Sequence, residues 1–202
     1  MQYSILTAET SNLLPFQGEV SFHPNFYSNE DAIHYLKALQ YCIAWRQEPI
    51  RMFGKWMLQP RLTALYGDPN VPYGYSGIEM EALPFTKELE QIKNRLQDFT
   101  KQEFTHVLCN YYRNGQDSMS WHRDNEAVLG NKPTIASLTF GASRVFQLRP
   151  YGKKEPKLSI ELSDGSLLLM GGESQQYWEH QLPKTKKVLG PRINLTFRKL
   201  IS

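Results

Sequence analysis

From His106 onward the chain breaks into about eight short β-prone runs, each closed by a turn signal. The runs are 106–112, 118–122, 134–140, 144–149, 158–162, 166–170, 176–181 and 192–198. Gly115, Lys132-Pro133, Gly141, Pro150-Tyr151-Gly152, Asp164-Gly165 and Gly171-Gly172 separate them. Short strands this evenly spaced predict a two-sheet jelly roll (double-stranded β-helix) or a barrel. Asp164-Gly165, between Ile160-Glu161-Leu162 and Leu167-Leu168-Leu169, reads as a tight hairpin.

Two helices precede these runs. Ser28 can cap one through residues 29–45, with Ala32, Leu36, Leu39 and Ile43 along one face. A second is expected from about Thr86 to Phe104, striped by Leu89, Ile92, Leu96 and Phe99 and preceded by Pro84. The fold class is therefore α+β with a mostly β core, the helices covering one sheet. Residues 1–27 read as irregular, because Pro15, Gly18 and Pro24 interrupt any periodicity. At 202 residues the chain suits a single domain, with 105–198 as the core and 45–77, where Arg46, Arg51, Lys55 and Arg61 interleave with Trp45, Phe53 and Trp56, as the expected nucleic-acid recognition region.

Composition excludes several classes. With 41% apolar and 21% charged residues the chain is globular, and no apolar run approaches the ~18 residues of a membrane span. The first Lys or Arg is Lys37, so no basic signal-peptide head is expected. Two cysteines, Cys42 and Cys109, exclude a disulfide framework and fit a reducing, intracellular setting, cytoplasmic in a prokaryote or nuclear in a eukaryote. Charge is uneven: residues 1–142 carry 12 Lys/Arg against 15 Asp/Glu, and residues 143–202 carry 11 against 5. A basic second part points to a polyanion, nucleic acid before membrane, or else to a solvated basic surface.

Trp121-His122-Arg123-Asp124 carries the most chemistry. On a strand, i and i+2 share a face, so His122 and Asp124 project together. His180 is the best third ligand; His34 lies in a helix and His106 at a strand start. Two His and a carboxylate on one side of a metal form the facial triad of non-haem Fe(II) oxygenases. An H-x-D with a distant His also arises by chance, so the motif does not stand alone. Near the end of the chain, Arg192, Asn194, Thr196 and Arg198 alternate onto one strand face, with Ile193, Leu195 and Phe197 on the other. Arginine clamps carboxylates bidentately, so a dicarboxylate beside the metal suits this stripe. Asn110 and Tyr112 alternate onto one face just before His122.

Together, Asn110-x-Tyr112, His122-x-Asp124, His180 and Arg192-x-Asn194-x-Thr196-x-Arg198 resemble the AlkB family, Fe(II)- and 2-oxoglutarate-dependent dioxygenases that dealkylate nucleic acids. The segment from Met52 through Pro60-Arg61 to Asp68, and the segments Tyr73–Gly77 and Ala136–Ala142, look like the members that act on double-stranded DNA. The resemblance implies Fe(II) on His122, Asp124 and His180, with 2-oxoglutarate and O₂ as co-substrates. Arg192 would take the distal carboxylate, assisted by Tyr112 and Asn194. Arg198 and Asn110 would lie near the chelating end, and Thr196 would flank the co-substrate. Tyr73, Gly74, Tyr75 and Ser76 would line a lesion pocket against His122, and Asn125 and Glu126 would meet the base or order the site. A duplex base must be flipped out to react. Lys55 and Arg61, with Arg46 and Arg51, could track phosphates, and Phe53, on a tight turn allowed by Gly54, would fill the gap. The implied activity is oxidative demethylation of 1-methyladenine and 3-methylcytosine in DNA, double- or single-stranded, by a monomer with no membrane partner. RNA, a protein side chain, or a jelly-roll binding module without turnover are the other readings.

Overall fold

The computed structural model describes residues 11–52, 55–68, 73–75, 78–187 and 189–201, with the backbone path alone at 50–52, 55, 73–75 and 78–80. In chain order the elements are β1 (Glu19–His23), α1 (Asn29–Cys42), β2 (Pro49–Met52), β3 (Lys55–Leu58), β4 (Leu62–Gly67), β5 (Tyr73–Tyr75), β6 (Ile78–Met80) and α2 (Lys87–Thr100). They continue with β7 (His106–Tyr112), β8 (Met119–His122), β9 (Ile135–Gly141), β10 (Arg144–Pro150), β11 (Leu158–Leu162), β12 (Leu167–Gly171), α3 (Ser174–Tyr177), β13 (Trp178–Leu182) and β14 (Arg192–Arg198).

A six-stranded sheet ordered β1-β12-β9-β14-β7-β4 lies against a four-stranded sheet ordered β11-β10-β13-β8, and every pairing within them is antiparallel. This is the expected jelly roll. The alternation along β14 explains how one strand serves two layers. Ile193, Leu195 and Phe197 are fully buried in a cluster with Leu39 of α1 and Leu89, Ile92 and Leu96 of α2. The opposite face points between the sheets. The two long helices have their starts fixed by side-chain caps: Ser28 Oγ accepts from Asp31 N, and Thr86 Oγ1 accepts from Leu89 N. The helix α2 stops at Thr100 rather than Phe104, since Lys101 turns left-handed at φ 56°. Phe99 consequently falls at the frayed end of the stripe and stays half-exposed, edge-on to Phe26.

Three expectations need correction. The segment to Tyr27 is not wholly irregular: Val20 and Phe22 turn inward from β1, which pairs with β12. Five residues between Gly18 and Pro24 are too short for the alternation to stand out. Asp164-Gly165 does not close a hairpin. The strand before it, β11, pairs with β10, whereas the strand after it, β12, pairs with β1 and β9. The turn hands the chain from one sheet to the other, and it is fastened to β9 by Gly141 N donating to Asp164 Oδ1 and Gly165 N donating to Thr139 O. A two-residue Asp-Gly turn looks the same locally in either case. Finally, 176–181 is not strand throughout, because Ser174–Tyr177 form a single helical turn ahead of β13. The large sheet also recruits β4, from within the 45–77 region, and most of that strand is buried.

Candidate metal centre

The two histidines meet because β8 and β13 are neighbours. His122 and His180 are direct cross-strand partners, with ring centroids 4.2 Å apart. Asp124, two residues beyond His122 and past the strand end, brings Oδ1 to 3.9 Å from His122 Nε2. One ligand atom from each of the three lies within 4.8 Å of the others, so side chains distant in sequence converge on one point.

The surroundings prepare each ligand. His122 Nδ1 donates to Ser120 O at 2.8 Å, which leaves the Nε2 lone pair facing the shared point. Burial lowers the His122 pKa, and burial with the neighbouring His122 takes His180 down to about 3, so both rings are neutral at physiological pH. Burial alone would raise the Asp124 carboxyl, but Arg198, His180 and His122 outweigh it and hold the group at about 2. Arg198 donates to Asp124 Oδ2 from Nη2 at 2.6 Å. The other oxygen, Oδ1, is buried and has no hydrogen-bond partner. A buried carboxylate oxygen without a partner is costly, and a cation at the shared point satisfies it. Two neutral imidazoles and one carboxylate fit Fe(II).

The same cleft holds the polar stripe of β14. Arg192 is 2% exposed and donates from Nη2 to Thr139 Oγ1 at 2.9 Å, while its Nε is buried without a partner. Among the described residues no carboxylate pairs with it. Burial, opposed by Tyr112 beside it, brings the guanidinium down to about 10, still cationic at neutral pH. Tyr112 is the cross-strand partner of Arg192, and its ring lies 5.2 Å from the guanidinium carbon. An unpaired buried cation of this shape fits a carboxylate such as that of 2-oxoglutarate. Between Arg192 and the triad run Asn194 and Thr196. Asn194 donates to Ser137 Oγ at 2.8 Å and accepts from Thr196 Oγ1 at 3.0 Å and from Asn110 Nδ2 at 3.3 Å. Arg198 sits at the metal end on Asp124, Asn110 lies level with Asn194 in the middle of the stripe, and the cleft walls include Leu108, Phe146, Met170 and Leu182.

On the substrate side the picture is mixed. Arg61 is not a surface residue tracking phosphates. It is 3% exposed, lines the cleft and donates from Nε to Asn110 Oδ1 at 2.7 Å. The strand β4 begins beside it and draws it inward, which a count of basic residues does not reveal. Trp45, from the same interleaved stretch, stacks on Tyr111 and donates to Leu39 O as part of the core. Trp56, Met57 and Leu58 are exposed on β3. Asn125 is exposed, whereas Glu126 Oε2 is buried without a partner and its carboxyl is raised by burial and by Asp124. Phe53, Gly54 and Ser76 lie outside the described residues, and so do the side chains of Arg51, Lys55, Tyr73 and Tyr75; Gly74 is placed on β5 by its backbone. Three residues carry roles that the sequence does not announce: Thr139 and Ser137, whose alternation along β9 matches that of β14, and Gln175, which stands just before the run 176–181 and outside any predicted element.

A jelly roll that presents two His and one carboxylate on one side of a metal position defines the class of non-haem iron oxygenases. The model of the 2OG-Fe(II) oxygenase superfamily matches residues 19–198. The chain is similar to alpha-ketoglutarate-dependent dioxygenase alkB homolog 3 of Homo sapiens, 40% identical over 191 residues, covering 89% of this chain and 65% of that protein. It is also similar to DNA oxidative demethylase ALKBH2 of Bos taurus, 42% identical over 159 residues, covering 75% of this chain and 57% of that protein. The chain thus spans less than two-thirds of the length of these curated relatives. The solved structure of OsALKBH1 superposes with a TM-score of 0.59 over 94% of this chain and 100% of that one, at 16% identity, a likeness of fold. The chain belongs to the 2OG-Fe(II) oxygenase superfamily and, within it, to the AlkB family. Its cofactor set is accordingly Fe(II), 2-oxoglutarate and O₂.

Proposed function

We propose that the protein is an oxidative demethylase that repairs alkylated bases in DNA, 1-methyladenine and 3-methylcytosine among them. The observation that carries this reading is the pairing of two unsatisfied groups in one cleft: the buried Oδ1 of Asp124 and the buried guanidinium of Arg192. Together they ask for a cation and a diacid. Fe(II), 2-oxoglutarate and O₂ supply the oxidation that hydroxylates an N-methyl carbon, which then leaves as formaldehyde.

The chain's own residues bind, orient and exclude water. His122, Asp124 and His180 hold the metal through neutral rings and a carboxylate fixed by Arg198. Arg192 receives the distal carboxylate of the co-substrate beside Tyr112 and Thr139, and Asn194, Thr196 and Asn110 line the path to the metal. Leu108, Phe146, Met170 and Leu182 keep the cleft dry. No protein nucleophile is required. Asn125 and Glu126 are assigned to the base, and Tyr73, Gly74, Tyr75 and Ser76 to the lesion pocket, on the sequence resemblance. An acidic side chain at Glu126, beside Asp124, suits a lesion that carries positive charge. The roles proposed for Phe53 with Gly54, filling the space of the flipped base, and for Lys55, a phosphate contact, rest on the sequence resemblance. Lys153, Lys154, Lys157, Lys184, Lys186 and Lys187 are exposed, as phosphate contacts require. The whole chain, 1–202, acts as one domain and as a monomer. No helix among the described residues is long and apolar enough to cross a membrane.

The test is to supply Fe(II), 2-oxoglutarate and O₂ with methylated single-stranded DNA, duplex DNA and RNA, and to measure succinate and formaldehyde. Formaldehyde from DNA supports the reading. Formaldehyde from RNA alone would replace the substrate, and no succinate with any oligonucleotide would remove the reading.

A further inference from the structure

We infer that Gln175 is a positioning residue for the metal site, acting through the backbone of Asp124. Asp124 lies past the end of β8, where no strand partner receives its amide. The residue is 1% exposed, so water does not receive it either. The acceptor is the side chain of Gln175, whose Oε1 takes the Asp124 N–H at 3.0 Å across 51 residues of sequence. Gln175 is itself 2% exposed. Its amide nitrogen donates to Ser174 Oγ at 3.2 Å and lies 3.7 Å from Met170 Sδ, which fixes which end of the side chain faces Asp124.

The geometry gives Asp124 two independent holds. Arg198 fixes carboxylate Oδ2, and Gln175 fixes the main chain. With both in place, only Oδ1 is left to point at the shared site. Gln175 also lies five residues before His180, on the turn that leads directly into β13. One short segment therefore delivers one ligand and braces another, so the separation between His180 and Asp124 is set within a single stretch of chain. Outer-shell hydrogen bonds of this kind typically carry roughly 10–100-fold in metal affinity. The turn is braced from behind as well. Trp178 Nε1 donates to Phe16 O, and a Cβ at Gly18 would come within 2.6 Å of the Ser174 backbone.

The inference rests on the metal-site reading and is independent of the nucleic-acid substrate. The test is Co(II) titration of the metal-free full chain, followed by its visible d–d absorption, for the wild type, Gln175→Leu, Gln175→Asn and Gln175→Glu. Gln175→Leu removes the acceptor at similar volume, Gln175→Asn withdraws it by one methylene, and Gln175→Glu keeps it. We expect Gln175→Leu and Gln175→Asn to weaken Co(II) by about tenfold or more, with a changed d–d band, and Gln175→Glu to restore both. Metal-free melting temperatures should move far less than the affinities. Wild-type affinity in Gln175→Leu would overturn the inference. If that variant is insoluble, equal affinities for Gln175→Asn and Gln175→Glu would overturn it. A wild type that binds no Co(II) would instead overturn the metal-site reading, and this inference with it.

Discussion

Arg198 and Asp124 form a buried ion pair across 74 residues of sequence, and that pair occupies one carboxylate oxygen while leaving the other bare. The bare oxygen turns the strand end into a ligand. Removing one partner of a buried pair strands the other charge, a loss of about 3–5 kcal/mol. Arg198→Met should therefore destabilise the metal-free protein by that order in urea unfolding and weaken Co(II) binding as well. Unchanged Co(II) affinity would show that Arg198 does not orient the ligand.

The same pair sets an acid limit. The Asp124 carboxyl is lowered to about 2 in the folded chain, against an ordinary value of 3.8. A depressed carboxylate stabilises fully above its unfolded value, and that stability is lost as pH falls through the folded one. The metal-free wild type should thus lose roughly 2 kcal/mol relative to Asp124→Asn between pH 4 and pH 2. Denaturant titrations across that window check it. Parallel curves for the two proteins would count against the pair.

Arg192 should be separable from the metal. Lysine keeps the charge but loses the planar fork. A charge-assisted hydrogen bond contributes about 1.5–3 kcal/mol, so Arg192→Lys should raise KM for 2-oxoglutarate by about tenfold or more. Co(II) affinity should stay at the wild-type level. Loss of both together would place Arg192 in the scaffold instead of the co-substrate site.

Phe53→Ala distinguishes a wedge from a packing residue. Repair of a lesion in duplex DNA should fall well below repair of the same lesion in single-stranded DNA, because only the duplex needs its gap filled. Formaldehyde release from matched oligonucleotides measures it, and equal loss on both substrates would speak for packing.

Most of the jelly-roll strands are legible in the sequence almost to their ends, because they are short β-prone runs separated by Gly, Pro or Asp-Gly turn signals. The stripe on β14 is plain because polar and apolar residues alternate along all seven positions from Arg192 to Arg198. What the alternation does not encode is which strand pairs with which, and so the turn at Asp164-Gly165 looks like a hairpin although it crosses between sheets. The ligands were readable because i and i+2 share a face, and His180 because few histidines compete. Arg61 and Gln175 were not, since their roles come from contacts 49 and 51 residues away and leave no local pattern.

The decisive measurement is anaerobic. Fe(II) and 2-oxoglutarate added together to the purified chain should produce a visible metal-to-ligand charge-transfer band in the wild type. Asp124→Ala should abolish it. A wild type that shows no band under these conditions would contradict the convergence of His122, Asp124 and His180 on one iron beside Arg192.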